Sequence, residues 1–350
     1  MKSFFHGLLI LFLLPLFLVS CGTASHQMQI LKPGVITLPA EIKQLGVINR
    51  SLPAKGQGFN NFLEGLVTGE SIAADREGSK ECLSGFATGI NAGPRFNAVA
   101  IEGLDLRGTG TRQFPEFLDW DKVEELCERF KVDAIIALET FDSDIALKKS
   151  SADVERTVDK KKVIVKEYYV DLRMNVRSGW TIYSPQGHQI VDRNVFTDEM
   201  GWNGSGDSPE QALGNLPSKR GAINESGYFS GKQYAIRISP TWVNESRTYF
   251  TRANDDFKVA AKNVKRGNWN EAIPVWKRYT VSNEPKVAGK ACYNMALASE
   301  VDGNLSLALE WANRAWQQHG LKRAKNYSQL LENRIQLQMK LDKQMEGQGQ

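Results

Sequence analysis

The chain has 350 residues, 24% of them charged and 41% hydrophobic, with a formal net charge of +4. That length exceeds one comfortable hydrophobic core and points to two domains, and the ordinary composition excludes a low-complexity or disordered chain. The small, evenly spread positive balance excludes a nucleic-acid-binding stripe, since the longest basic run is Lys160-Lys161-Lys162 in a polar loop.

Residues 1–21 read as an export signal. Lys2 gives a basic start, Gly7 to Leu18 is an apolar run interrupted only by Pro15, and Leu18-Val19-Ser20-Cys21 is a small-residue cleavage site ending in cysteine. The run is too short and wrongly flanked for a permanent membrane span. Leu18-Val19-Ser20-Cys21 resembles the lipobox of bacterial lipoproteins, which implies diacylation of the Cys21 thiol, cleavage before it and acylation of the new N-terminus. Loss of Lys2 with the signal leaves a mature balance of +3. Lipidation of Cys21 leaves Cys82, Cys127 and Cys292, an odd set whose spacing fits neither CxxC nor a zinc ribbon, and whether any two of them pair stays open. His6, His26, His188 and His319 are too scattered to form a cluster by spacing, so no metal or cofactor is expected.

Residues 22–39, rich in Gly, Thr, Ser, Gln and Pro, suit a flexible tether between lipid and folded body. No acidic cluster follows Cys21, and Gly22 rather than Asp adjoins it. By resemblance to the sorting rules of Gram-negative lipoproteins, both features imply an outer-membrane lipid anchor and a periplasm-facing body.

A mixed α/β domain is expected over residues 40–250. Leu45 to Asn49 is a short apolar strand, and Asp75 to Asn91 a helix whose stripe is Leu83, Phe86, Ala87 and Ile90. A second buried strand follows at Asn97 to Glu102. The polar stretch Arg107 to Arg112 holds Gly108-x-Gly110 but neither a third glycine nor a P-loop lysine, so it reads as a connection rather than a nucleotide cradle. The next helix, around Asp119 to Phe130, packs Trp120, Val123, Leu126, Cys127 and Phe130 on one face, with Asp119 or Asp121 as cap. Val132 to Leu138 is a strand buried on both faces, so strand, helix and strand form a parallel crossover. Cys127 then points into the core as an inert thiol.

Glu139, Asp142 and Asp144 come just past that strand, where an α/β protein places a site, and paired acids there could hold a cation or perform acid–base work. From Val163 to Tyr183, Val170, Leu172, Met174 and Val176 alternate with polar residues, Ser184-Pro185-Gln186-Gly187 is a turn, and Gln189 to Phe196 returns antiparallel. The loop Gly201 to Gly206 carries Trp202, which could stack over a ligand at the same sheet end. Ser208, Pro209 and Gln211 open a helix. Gly227, Gly231 and Ala235 form a small-residue seam for close helix packing, Ser239-Pro240 ends that segment, and Thr241 to Tyr249 is extended. This order of elements, with the run Phe130 to Ile136 and the hairpin Val170 to Phe196, is weakly similar to the α/β domain of curli-secretion and penicillin-binding-protein-activator lipoproteins.

An all-α repeat domain is expected over residues 251–345. Arg266 to Ala272 is echoed by Asp302 to Ala308 at a spacing of 36, which resembles tetratricopeptide repeats with their period of about 34. Gly267 and Gly303 take the inter-helix turn, Ala272 and Ala308 let helices touch, Trp276 and Ala315 pack later, and Cys292, Met295 and Ala296 fill a buried helix. A last helix with Tyr327, Leu331, Ile335 and Met339 on one face resembles a cap. As a whole the chain resembles an uncharacterised family of Bacteroidota-type lipoproteins with tetratricopeptide-like C-termini, which implies no activity.

The expected fold is therefore α+β or α/β: a mixed-sheet domain followed by helical repeats. The expected function is a membrane-anchored, non-enzymatic envelope lipoprotein that binds a protein partner in the repeat groove, lined by Asn263, Arg266, Asn294 and Arg314. The alternative is a small-ligand or metal binder, or a hydrolase-type enzyme, using Glu139, Asp142, Asp144 and Trp202. A third is an assembly subunit whose sheet edge pairs with copies of itself.

Overall fold

The computed structural model describes residues 22–52, 69–104, 106–110 and 112–346; the stretch expected to be an export signal, with Cys21, lies outside the described residues. In chain order the first elements are β1 (Thr23–Lys32), β2 (Gln44–Asn49), α1 (Gly69–Asn91), β3 (Asn97–Ala100), α2 (Trp120–Phe130), β4 (Ala134–Val158), β5 (Lys161–Ser184) and β6 (Gln189–Gly206). There follow α3 (Pro209–Gly214), α4 (Lys219–Ile238), β7 (Thr241–Phe250), α5 (Asp255–Lys265), α6 (Trp269–Tyr279), α7 (Pro285–Val301), α8 (Leu305–Asn313), a π-helical turn (Arg314–Gln318) and α9 (Lys322–Met345). The fold is mixed α/β in its first part and helical in its C-terminal region. Among the described residues, contacts divide the chain into two compact units, 30–243 with 337–346, and 22–29 with 244–336.

The first unit is built on a five-stranded sheet of order β3-β2-β4-β5-β6. β2 runs parallel to both β3 and β4, while β4, β5 and β6 are antiparallel, so the sheet is mixed. Alternation along β4 distributes its side chains between two cores. Ala134, Ile136 and Leu138 join Phe86, Cys82 and Tyr234 on the side of α1 and α4, whereas Ile135 and Ala137 join Val123, Leu126 and Cys127 on the side of α2. β3 is not the buried strand expected at Asn97: it lies at the sheet edge and three of its four residues are exposed.

The small-residue seam on α4 is a close helix contact. A Cβ added at Gly231 would lie 1.8 Å from the Cys82 carbonyl oxygen, and one added at Gly85 of α1 would lie 2.0 Å from that of Tyr228. Only glycine lets the two backbones meet at this separation, and their approach seats Phe86 against Trp180 and Tyr234 at 5.2 and 5.7 Å between ring centroids. Asp119 stands at the N-cap of α2 without a side-chain capping bond, whereas the Ser208 side chain accepts from Gln211 N–H at the start of α3, as its sequence signature predicts.

Two expectations fail because strands run further than their apolar cores. β4 continues from the buried segment through Glu139, Asp142 and Asp144 to Val158, since β5 offers a backbone partner along that length. The acidic stretch is thus strand, not loop. β6 likewise continues through Trp202 to Gly206, paired to β5 as far as Tyr168, so the Trp202 loop is strand too. The β4–β5 hairpin turns at Asp159 and Lys160, both with positive φ (48° and 64°) as a two-residue hairpin turn requires.

Residues 23–32 of the stretch 22–39, expected to be a tether, form β1. Its side chains alternate, with Ser25, Gln27 and Gln29 exposed between partly buried Ala24, His26 and Met28, and it pairs with β7. Composition had hidden a period of two. The glycine turns expected between helices are present: Gly267 and Gly303 take φ of 80° and 84°. Ala272, Trp276, Ala308 and Ala315 are buried, and α7 is buried over most of its length. The α9 stripe holds for Tyr327 and Leu331, but Met339 is exposed. Cys82, Cys127 and Cys292 are all free and buried, so no two of them pair.

Candidate functional site

The three candidate acids on β4 have separate engagements. Glu139 follows Ile135 and Ala137 on the α2 side of the sheet, and it is the extra residue of a bulge between Leu138 and Thr140 that brings Phe141 to the opposite face. There Arg50 Nη1 donates to both its oxygens at 3.1 and 2.9 Å, and the Tyr183 hydroxyl donates to Oε1 at 2.8 Å. The same guanidinium donates to the carbonyls of Glu116 (2.9 Å) and Leu106 (3.3 Å), so the cluster fastens the segment before α2 to the sheet. Burial pushes the Glu139 carboxyl up, against the pull of the adjacent Arg50 charge.

Asp142 and Asp144 share Arg112, at 2.7 and 2.9 Å. Between them Ser143 points to α1, where its hydroxyl donates to Asp75 Oδ1 at 2.5 Å. Burial, with some help from the charges of Asp142 and Asp144, pushes the Asp75 carboxyl up to about 6. Sequence reasoning missed Asp75, which reaches this place only through the packing of α1. Trp202 is not over these acids: it stands opposite Leu172, further along the sheet, and packs on the core with Leu216. The four proposed ligand residues therefore form no common site. Among the described residues no group of three or more His, Cys, Asp or Glu could hold a metal ion.

Of the residues expected to line a partner groove, one is corrected. Asn294 is fully buried, and its carboxamide is taken by Phe250 of β7: Phe250 N–H donates to Oδ1 and Asn294 Nδ2 donates to the Phe250 carbonyl, each at 2.8 Å. Asn263 and Arg266 close α5, with the Asn263 carbonyl accepting from the Arg266 and Asn268 amides. The Arg314 guanidinium lies over the Trp311 ring at 5.3 Å. Beside the Asn294 clamp sits a charged centre that sequence reasoning did not find. Glu300 on α7 is buried and accepts from Arg247 Nε (3.2 and 3.1 Å), from the Tyr327 hydroxyl (2.6 Å) and from Arg334. Its one signal was an acid ending the apolar run of α7.

What remains open is an edge. β2 covers β4 only from Ala134 to Leu138, and from Glu139 to Val158 no described strand pairs with its outer side. Along this edge Ile145 and Leu147 are 44% and 47% exposed. Unpaired N–H and C=O groups in that number form a template for an added strand. Among the described residues no helix is long and apolar enough to cross a membrane.

These features define a class: a mixed-sheet α/β unit in which no described strand pairs with the outer side of β4 beyond Leu138, followed by a helical unit. Residues 42–250 match the domain of unknown function DUF8603, which spans more than half of the chain, and the chain belongs to that family. Residues 258–333 match a second domain of unknown function, DUF6340. No curated protein matches the chain.

Proposed function

We propose that this chain is a lipid-anchored, non-enzymatic envelope protein that binds a protein partner by strand addition at the β4 edge. Lipid on Cys21 holds it to the outer membrane, facing the periplasm. The observation that carries the reading is that among the described residues no strand pairs with the outer side of β4 beyond Leu138, and that Ile145, Leu147 and Val158 are exposed along it. Backbone pairing supplies affinity there, and Ile145 and Leu147 supply side-chain selection. The acids once considered for catalysis are engaged in ion pairs and hydrogen bonds, which favours a binding role. The helical groove is the weaker choice because Asn294 already holds Phe250.

Photo-crosslinking amino acids at Leu147 and, for comparison, at the exposed Val259 of α5 test this in intact cells. Adducts of higher mass at Leu147 and few at Val259 are expected. Adducts at Val259 alone overturn the edge reading. Adducts at twice the chain mass make the partner a second copy. Separately, Cys21→Ser must release the chain from the membrane fraction, and unchanged fractionation and processing would remove the anchor.

A further inference from the structure

Lys258, Ala261, Lys262 and Lys265 recur on α5 at spacings of three and four and share one face. That face, Thr251 and Arg252 just past β7, and Thr23 and Ala24 at the start of β1 line an open cleft of about 270 Å3. Lys258 pairs with Asp255 at 2.7 Å; among the described residues Arg252, Lys262 and Lys265 have no carboxylate partner. A further cation, Lys290, donates to the Arg252 carbonyl at 2.9 Å. The cleft therefore carries an excess of positive charge that nothing described in this unit neutralises.

Chain order identifies what would neutralise it. Thr251 N–H donates to the Gly22 carbonyl at 2.9 Å, so the main chain at Gly22 is fixed beside the cleft. Cys21 is the next residue, with its Cα about 3.8 Å along the chain. An acyl group on that cysteine enters the bilayer through a headgroup layer roughly 5–7 Å thick, and charges within a Debye length of about 8 Å feel that layer. We infer that the cleft receives the phosphate headgroups of anionic phospholipids in the leaflet that holds the lipid anchor. The inference rests on the reading of Cys21 as lipidated. Each cation near an anionic surface strengthens attachment, and the anchor supplies the local concentration.

The test uses the full chain, as wild type and as Cys21→Ser, reconstituted from detergent with phosphatidylcholine vesicles or with vesicles containing about 30% phosphatidylglycerol. The readout is the ratio of partitioning into the two vesicle types, which cancels any contribution of apolar residues common to both. A ratio well above one is expected for both chains, falling about tenfold in Lys262→Glu/Lys265→Glu and lost at high salt. The milder Lys262→Gln/Lys265→Gln pair, on exposed positions, should fall in the same direction with an unchanged circular dichroism spectrum. A ratio of one in Cys21→Ser, or one indifferent to these substitutions, overturns the inference. If Cys21→Ser keeps the ratio but fractionates from cells like wild type, the anchor reading fails while the cleft assignment stands.

Discussion

Asn294 and Phe250 hold each other by two hydrogen bonds of 2.8 Å, one in each direction, between a helix side chain and a strand backbone. Asn294→Ala leaves both main-chain groups of Phe250 without that partner. A loss of about 1–3 kcal/mol in urea unfolding is expected, with faster hydrogen exchange at the Phe250 amide. An unchanged midpoint would mean that the clamp contributes nothing.

Arg50 and Glu139 form a buried ion pair with Tyr183 as third member. Arg50→Met leaves the carboxylate unpaired and should cost about 3–5 kcal/mol, whereas Tyr183→Phe should cost about 1–2 kcal/mol. The double change Arg50→Met/Glu139→Leu should recover part of the loss, because no buried charge is then left alone. Denaturant titration of the four proteins gives the comparison, and a double variant weaker than Arg50→Met would contradict it.

Asp75 gives the sheet unit a pH dependence. Its carboxyl titrates at about 6 in the fold against 3.8 as an ordinary aspartate, under the influence of burial, Ser143, Asp142, Asp144 and Lys219. The folded chain therefore retains a proton that the unfolded chain has lost, so this contribution to stability is full below 3.8 and is lost as pH rises to about 6. Because the group is partly exposed, about 1–2 kcal/mol is expected rather than the full value of the shift. Unfolding free energies of wild type and Asp75→Asn between about pH 4 and pH 7 should diverge by that amount, with the variant favoured at the upper end. Parallel curves would contradict the assignment.

Gly231 has no room for a methyl group against the Cys82 carbonyl. Gly231→Ala should force α1 and α4 apart and lower stability by about 1–3 kcal/mol or more. Gly214→Ala, where a Cβ meets nothing within 4 Å, is the control and should change stability little. Thermal unfolding of the two variants separates crowding from a general intolerance of alanine.

Thiol titration counts the anchor. Burial pushes the Cys127 and Cys292 thiols up to about 11 and Cys82 higher still, so none should react with a disulfide reagent in the native chain near pH 8. After denaturation, chain extracted from membranes should release the thiols of Cys82, Cys127 and Cys292 alone if Cys21 carries the proposed lipid as a thioether. A fourth thiol would show that Cys21 is unmodified.

Elements that bury a regular stripe were legible in the sequence. The strand at Leu45, the helix ending at Phe130, the alternation from Val170 to Val176 and the turns at Gly267 and Gly303 each follow from local periodicity or from a backbone demand for glycine. The failures occurred where a distant strand supplied the partner. Glu139 to Val158 and Gly201 to Gly206 are too polar or glycine-rich to read as strand, but β5 satisfies their backbone. Residues 23–32 became strand because β7 lies beside them. The candidate sites were less legible, because charges pair through space: nothing near Asp142 in the sequence points to Arg112, and nothing near Asn294 points to Phe250.

The pairing of β1 with β7 also sets a clock. Gly22 finds its hydrogen-bond donor at Thr251, more than two hundred positions later, so this two-stranded sheet closes a very long loop. Such closure carries a large entropic toll and slows assembly. Under the export proposed above, the first strand would wait, open to chaperones and proteases, until the polypeptide as far as Thr251 had followed it across.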